Sequence, residues 1–221
     1  MKLVLYSGGT GEQNRILDRE CLSLSGKKFP KITYIPACSF DSEIDFKDFV
    51  HQFAEFDITQ FIYFPIDIPF DRIIMKEAFK SDIIHLSGGN TFYFLNSLRK
   101  SGLFSELIDF VKRGGVLTGL SAGAILMTPT ITTASFPKFD CDENHDGLKN
   151  FKALNLVQFE IFPHFKKSTR YENELMNYSK KSKLPVYALP DGSGILVEDE
   201  TLKFVGKTYL FYQGKKCTLI K

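Results

Sequence analysis

The chain of 221 residues is 43% hydrophobic and 24% charged, with a formal net charge of +2. This size and apolar content predict one domain spanning residues 1–221 with a complete hydrophobic core. The nearly balanced charge, with lysines in scattered pairs, argues against nucleic acid or an acidic membrane as a partner.

Short apolar runs that favour strands alternate with helical patterns along most of the chain. The predicted strands are residues 2–6, 31–36, 60–64, 82–87, 115–119, 156–162 and 185–189. The predicted helices are residues 42–55, 91–98 and 103–112. This alternation indicates an α/β fold with a mostly parallel sheet that has helices on both faces. The tail is predicted to form a small antiparallel C-terminal edge of short strands, at 194–197, 201–205, 209–212 and 217–220.

Three glycine-bearing turns follow predicted strands, where parallel sheets bind their ligands. They are Ser7-Gly8-Gly9, Ser87-Gly88-Gly89-Asn90 and Gly119-Leu120-Ser121-Ala122-Gly123. The third turn has the pattern G-x-S-x-G, in which a strand passes within one residue into a helix. Glycines at such a corner remove side chains that would collide, so the serine hydroxyl projects from the backbone.

The corner therefore predicts Ser121 as a nucleophile, with the backbone N–H of Ala122 available to bind negative charge developing on an oxygen atom. The alternative is a serine that caps an ordinary buried helix. A serine hydroxyl needs a base within hydrogen-bonding reach.

Among the four histidines, His164 is the best candidate base because Pro163 should end the preceding strand at the same edge of the sheet. His51 and His85 fall in a helical and a strand pattern, and His145 falls in a polar loop. A structural or capping role for His164 is the alternative.

The base needs an acidic partner that fixes its tautomer. The carboxylates of Asp140 and Asp142 lie in a loop that can fold back onto His164, and we favour Asp140 over Asp142. Glu160 shares the strand of His164 but lies four residues away, too far for a direct bond. A serine–histidine dyad without an acid is the remaining alternative.

Metal binding is not expected. Residues 142–147 match the first half of a calcium loop, but Ala153 occupies the position that needs a bidentate glutamate. The four cysteines show neither metal-ligand spacing nor a disulfide framework. With no leader-like segment and no run of about 18 apolar residues, the sequence predicts a cytoplasmic protein that does not bind membranes.

Four segments together resemble the peptidase E family of serine peptidases, which includes aspartyl dipeptidase and, more distantly, cyanophycinase. In chain order they are Ser87-Gly88-Gly89-Asn90-Thr91-Phe92, Gly119-Leu120-Ser121-Ala122-Gly123-Ala124, Pro129-Thr130-Ile131 and Pro163-His164-Phe165. The resemblance covers residues 1 to about 200 in element order. It implies a fold similar to class I glutamine amidotransferase domains, with serine in place of their cysteine nucleophile.

By motif match, the resemblance makes Ser121 the nucleophile and His164 the base, and it adds the Gly89 N–H to that of Ala122 in an oxyanion hole. Asn90 and Arg170 become candidate substrate-binding residues. In aspartyl dipeptidase the triad acid follows the Pro-Thr-Ile stretch closely, whereas residues 132–136 contain no carboxylate here. Asp140 is the next carboxylate along the chain.

We therefore expect a serine peptidase that hydrolyses short peptides, with dipeptides that begin with Asp among the candidate substrates, and that needs no cofactor or metal. The loop before Arg170 is shorter than in the dipeptidase, which leaves the Asp preference open. A monomer or a homodimer is expected. The alternatives are an α/β-hydrolase-type esterase, which shares the serine corner, and a catalytically degenerate amidotransferase-like domain that binds a small ligand.

Overall fold

The structure is a computed structural model and describes residues 1–219. This part of the chain contains eleven strands: β1 (Lys2–Tyr6), β2 (Ile32–Ile35), β3 (Phe61–Tyr63), β4 (Ile83–Leu86), β5 (Val116–Leu120), β6 (Glu160–Phe162), β7 (Val186–Ala188), β8 (Gly194–Glu198), β9 (Thr201–Val205), β10 (Thr208–Tyr212) and β11 (Lys215–Leu219). Its α-helices are α1 (Gly11–Ser25), α2 (Ser42–Ala54), α3 (Arg72–Ala78), α4 (Thr91–Lys100), α5 (Phe104–Lys112), α6 (Ala122–Leu126) and α7 (Thr169–Ser179), and a 3₁₀ turn spans Thr132–Ser135.

Seven strands form the main sheet in the order β3-β2-β4-β5-β1-β8-β9. The first five in this order are parallel, and β8 and β9 add an antiparallel edge. The prediction of an α/β fold with a mostly parallel sheet is confirmed. Parallel strands of this kind are buried on both faces, which explains their nearly continuous apolar runs.

The tail does not form a single edge, because β10 and β11 belong to a second sheet with the order β11-β10-β7-β6. In that sheet β6 and β7 are parallel, and the other pairs are antiparallel. The segments predicted at 156–162 and 185–189 thus lie outside the main sheet. Ile220, the last residue of the predicted strand 217–220, lies outside the described residues.

Alternating side chains of the main strands enter two cores on opposite faces of the sheet. In β1, Leu3 and Leu5 pack into the core under α4, α5 and α6, whereas Val4 and Tyr6 pack into the core under α1 and α2. A third core lies between the second sheet and α7, with Phe211 fully buried. No α-helix in residues 1–219 is long and apolar enough to cross a membrane.

Helix α1 was not predicted, and its buried face shows why. That face consists of Asn14, Leu17, Asp18 and Cys21, so the apolar spacing that marks an amphipathic helix is half replaced by polar residues. A capping box starts the helix: Thr10 Oγ1 accepts a hydrogen bond from the Gln13 N–H, and Gln13 Oε1 accepts one from the Thr10 N–H. The cap signal was therefore present in the sequence.

Two sets of parallel strand ends converge on one region. In the main sheet, Leu5 of β1 and Leu86 of β4 both pair with Gly119 of β5, so the turns after these three strands lie at one edge. In the second sheet, Phe162 of β6 pairs with Ala188 of β7, and the chain after each strand leads to His164 and Asp191. The fold thus brings residues from five strand ends together.

Candidate active site

Ser121 stands at a strained corner between β5 and α6. Its backbone has φ 50° and ψ −107°, a conformation that residues with a Cβ atom seldom adopt. A Cβ on Gly119 would lie 2.3 Å from the carbonyl carbon of Gly123, and one on Gly123 would lie 2.2 Å from the carbonyl oxygen of Leu86. Only glycine fits at either position, so the G-x-S-x-G pattern is required by backbone packing.

His164 meets Ser121 as the sequence analysis expected: its Nε2 lies 2.8 Å from Ser121 Oγ. The backbone of His164 also has a positive φ, 54°. Its N–H donates to Ser7 Oγ at 2.8 Å, and the Ser7 hydroxyl in turn donates to the Leu189 carbonyl at 2.6 Å. Ser7 is fully buried, so the turn after β1 fixes the position of the histidine backbone.

The carboxylate at the other side of the imidazole belongs to Asp191, whose Oδ1 lies 2.7 Å from His164 Nδ1. The placement expected for Asp140 at this position is therefore wrong. Asp140 accepts a short hydrogen bond from the Tyr171 hydroxyl instead. Asp142, the second candidate, accepts from the backbone N–H of Thr91 at 2.7 Å.

Asp191 was missed because nothing in the local sequence links it to His164. The two residues are brought together by the parallel pairing of β6 and β7, where the Leu189 N–H donates to the Phe162 carbonyl at 2.9 Å. The available signal was a turn-forming Pro190-Asp191-Gly192 segment directly after a predicted strand.

Gly8 lies against the His164–Asp191 pair. A Cβ on Gly8 would lie 2.3 Å from His164 Cε1 and 2.5 Å from Asp191 Oδ1. The Gly8 carbonyl also accepts a hydrogen bond from the Gly192 N–H at 2.9 Å, next to the carboxylate. The first glycine-bearing turn therefore holds both members of the pair by close backbone approach.

The backbone N–H groups of Ala122 and Gly89, which the sequence predicted as an oxyanion hole, have no acceptor among residues 1–219. The neighbouring Gly123 N–H is occupied by the Ser87 carbonyl at 3.1 Å. Gly89 has φ 139°, and a Cβ there would lie 2.7 Å from Cβ of Ala37, so glycine is needed at this turn. The geometry leaves these two N–H groups available to a ligand oxygen.

Ser121, His164 and Asp191 line a cavity of about 310 Å³. Its walls include the loop that carries Asp140 and Asp142, the aromatic rings of Phe136 and Phe162, and Lys166. The side chains of His164 and Asp191 are 48% and 49% exposed, so the pair is open to molecules from solution.

The two residues expected to bind substrate lie elsewhere. Asn90 caps α4: its Oδ1 accepts from the Tyr93 N–H at 2.9 Å, and its Nδ2 donates to the Glu143 carbonyl at 2.8 Å. Arg170 stacks its guanidinium over the ring of Phe139, 3.3 Å from the ring centre, and does not line the cavity. Both side chains are thus committed to structural contacts, and Lys166 is the cation in the cavity wall.

The arrangement provides a hydroxyl, a base and an orienting carboxylate at one cavity. A base that accepts the hydroxyl proton makes the serine oxygen nucleophilic, and a carboxylate at Nδ1 selects the tautomer that does so. This constellation is suited to acyl transfer to the serine oxygen.

The close packing of Gly8 against His164 and Asp191 can be tested through the reactivity of Ser121. We expect Gly8→Ala to displace the imidazole or the carboxylate and to slow labelling of Ser121 by a fluorophosphonate at least about tenfold. Gly102→Ala is the control, because it introduces backbone strain where a Cβ would meet nothing within 4 Å. Equal labelling rates in the two variants, both folded by circular dichroism, would show that the contact is unimportant.

Comparison with known proteins agrees with this geometry. Residues 3–205 match the model of peptidase family S51. An uncharacterized peptidase of Listeria innocua is 30% identical over 185 residues, which cover 80% of this chain and 84% of that protein. Peptidase E of Escherichia coli is 35% identical over 147 residues, 62% of this chain and 61% of its own length.

Among solved structures, a peptidase from an acI-B1 actinobacterium shares the fold, with a TM-score of 0.70 and 18% identity over 99% of this chain and 93% of that one. At this identity the likeness bears on the fold alone. The family match spans nearly the whole described chain and includes every residue of the site described above. The chain belongs to peptidase family S51 and is a serine-type peptidase.

Proposed function

We propose that this peptidase cleaves short peptides through an acyl-enzyme formed on Ser121, with His164 as the base and Asp191 as the residue that positions it. The observation that carries the proposal is the continuous hydrogen-bonded series from Asp191 Oδ1 through the imidazole of His164 to Ser121 Oγ, with both steps below 3 Å. Its location in the wall of an open cavity supports a substrate at the same place.

In the first step, the Ser121 oxygen attacks the peptide carbonyl carbon while its proton passes to His164 Nε2. The Nδ1 proton stays in its hydrogen bond to Asp191, whose negative charge stabilises the imidazolium. The N–H groups of Gly89 and Ala122 bind the oxyanion of the tetrahedral intermediate. When the C–N bond breaks, His164 returns the proton to the departing amine.

In the second step, water takes the place of the amine. His164 accepts a proton from the water as the water oxygen attacks the acyl carbon, and it returns that proton to Ser121 Oγ when the ester bond breaks. The products are a carboxylic acid and the free enzyme, so no further reactant is needed.

Substitutions of Asp191 and Asp140 test which of the two carboxylates positions His164. We expect Asp191→Asn to lower kcat by roughly 10³ to 10⁴, because an amide at Nδ1 favours the wrong tautomer. Asp140→Asn should stay within about threefold of the wild type, since Asp140 contacts Tyr171 rather than His164. Ser121→Ala should lower kcat by about 10⁶.

These rates would be measured by chromatography of peptide hydrolysis, with unfolding curves recorded to exclude misfolding. Full activity in Asp191→Asn together with loss of activity in Asp140→Asn would reverse the assignment. Substantial peptide turnover in Ser121→Ala would remove the acyl-enzyme mechanism altogether.

We also propose that a substrate carboxylate, such as that of an N-terminal Asp, would be bound by Lys166. This proposal rests on Lys166 lining the cavity of Ser121 while Arg170 does not. Lys166 is exposed, and an exposed ion pair contributes little, so Lys166→Met should reduce kcat/KM for Asp-Leu relative to Ala-Leu by about fivefold. Lys167→Met, which alters the neighbouring exposed lysine outside the cavity wall, is the control; an equal change in both variants would refute a specific role for Lys166.

A further inference from the structure

A second cavity, of about 630 Å³, is roughly twice as large as the first. It is bounded by the turn after β1, the start of α1, and one face of α2. Gly88 and Leu120 also line it, and they directly precede Gly89 and Ser121 in the chain. A Cβ built on Gly88 would lie only 3.8 Å from Cβ of Ser121, so the lining of this cavity reaches the serine corner.

The rim of this second cavity is acidic. Asp45, Asp48 and Glu55 of the α2 segment line it, together with His51, and the lining includes no lysine or arginine among the described residues. Glu55 is paired with Arg15, whereas Asp45 and Asp48 form no ion pair within residues 1–219. Two carboxylates thus face the cavity without a compensating cation.

Its floor is aromatic. The rings of Tyr34, Phe49 and His85 pack together, with the His85 centre 4.5 Å from that of Phe49 and 5.5 Å from that of Tyr34. Burial lowers the pKa of His85 to about 3, so its imidazole is neutral near pH 7 and adds no positive charge to the floor. Rings of this kind contact aliphatic stems and attract cations.

His85 also carries a hydrogen-bonding atom that the fold does not use. The residue is 6% exposed and lines the cavity, and its Nδ1 is hydrogen-bonded to Thr118 Oγ1 at 2.7 Å. Its Nε2 has no partner among residues 1–219. This nitrogen is therefore available to form a hydrogen bond with a molecule in the cavity.

Asp18 adds a further carboxylate next to the residues that line the cavity. The amide nitrogen of Gln52, a lining residue, donates to Asp18 Oδ2 at 2.7 Å. Burial raises the pKa of Asp18 to about 6, so near pH 7 the group is largely ionised and adds negative charge on the α1 side.

We propose that this cavity binds the basic side chain of a peptide substrate, a lysine or arginine one or two residues from the bond that Ser121 attacks. The inference rests on the peptidase function proposed above and names a substrate class for it. The unpaired carboxylates of Asp45 and Asp48 bind the cationic end, and the aromatic floor contacts the aliphatic stem. Gly88 and Leu120 bring the lining of the cavity next to Ser121, and a residue spans at most about 3.6 Å, so we assign the basic side chain to a residue close to the scissile bond. A bound metal ion fits less well, because residues 1–219 contain no group of three or more His, Cys, Asp or Glu side chains placed to hold one.

The kinetic test uses two series of peptides. One series varies the residue before the scissile bond and the other varies the residue after it, and in each series that residue is Arg, Lys, norleucine or Glu. At one of these positions kcat/KM should be highest for Arg and Lys and lowest for Glu. The double variant Asp45→Asn with Asp48→Asn should reduce the preference for Arg over norleucine by about tenfold, while turnover of the norleucine peptide stays within about twofold. Added salt should weaken the preference in the wild type, because the rim is exposed.

Glu43→Gln is the matched control, since Glu43 is also exposed in the first turn of α2 but does not line the cavity. It should leave the preference unchanged. Equal rates for Arg and norleucine peptides, or an Arg preference that survives in the double variant, would overturn the inference without affecting the proposed acyl-enzyme. Hydrolysis of none of the peptides would count against the peptidase mechanism instead.

A binding measurement tests the cavity without turnover. Agmatine, which has a guanidinium and an amine on a butyl stem, would be titrated into the Ser121→Ala protein while the His85 imidazole signals are followed by NMR. We expect saturable shifts of His85 and at least about fivefold weaker binding when Asp45 and Asp48 are also changed to Asn. Absence of His85 shifts, or equal affinity in both proteins, would contradict the proposal.

Discussion

The site depends on one junction between two sheets. Ser121 directly follows β5 of the main sheet, whereas His164 and Asp191 follow strands of the second sheet. The turn after β1 joins them: the buried Ser7 hydroxyl bridges the His164 N–H and the Leu189 carbonyl, and the Gly8 carbonyl accepts from the Gly192 N–H. A misplacement of about 1 Å can reduce catalysis a hundredfold, so the proposed mechanism depends on the precision of this junction.

The same close packing explains why glycine occupies the corners around the site. Side chains at Gly8, Gly119 or Gly123 would overlap with the imidazole or with backbone atoms. Ser121 and His164 themselves keep positive φ angles, a strain that the surrounding hydrogen bonds must offset. Backbone approach, rather than side-chain packing, therefore positions Ser121 and His164.

The linings of the two cavities differ in their cations: the first contains Lys166, whereas the second contains no lysine or arginine among the described residues. One contains Lys166 together with the loop acids Asp140 and Asp142, and the other has an acidic rim over aromatic rings. A peptide that crosses Ser121 would meet different electrostatic surroundings on the two sides of its scissile bond. This asymmetry is a physical basis for orienting the substrate as well as selecting it.

Local sequence was sufficient where a feature depends on neighbouring residues. Ser121 follows from the glycine spacing, and His164 follows from a proline that ends a strand. Asp191 could not be predicted because its position beside His164 depends on the parallel pairing of two short strands in a sheet that the sequence did not predict as separate. Asn90 was assigned to substrate although asparagine before a helix commonly caps it, so here a local signal was available and outweighed by the family resemblance. Asp140 was chosen by proximity in sequence, which does not indicate that a loop will fold onto the imidazole.

The most direct test of the account is to identify the covalent intermediate. Protein mixed with a slowly deacylating peptide ester and quenched in acid should carry the acyl group on Ser121, as located by mass spectrometry of its proteolytic fragments. The adduct should accumulate faster than it decays and should be absent after His164→Ala. An acyl group on another residue, or efficient hydrolysis with no adduct at any time, would contradict the central claim that the Ser121 oxygen attacks the substrate.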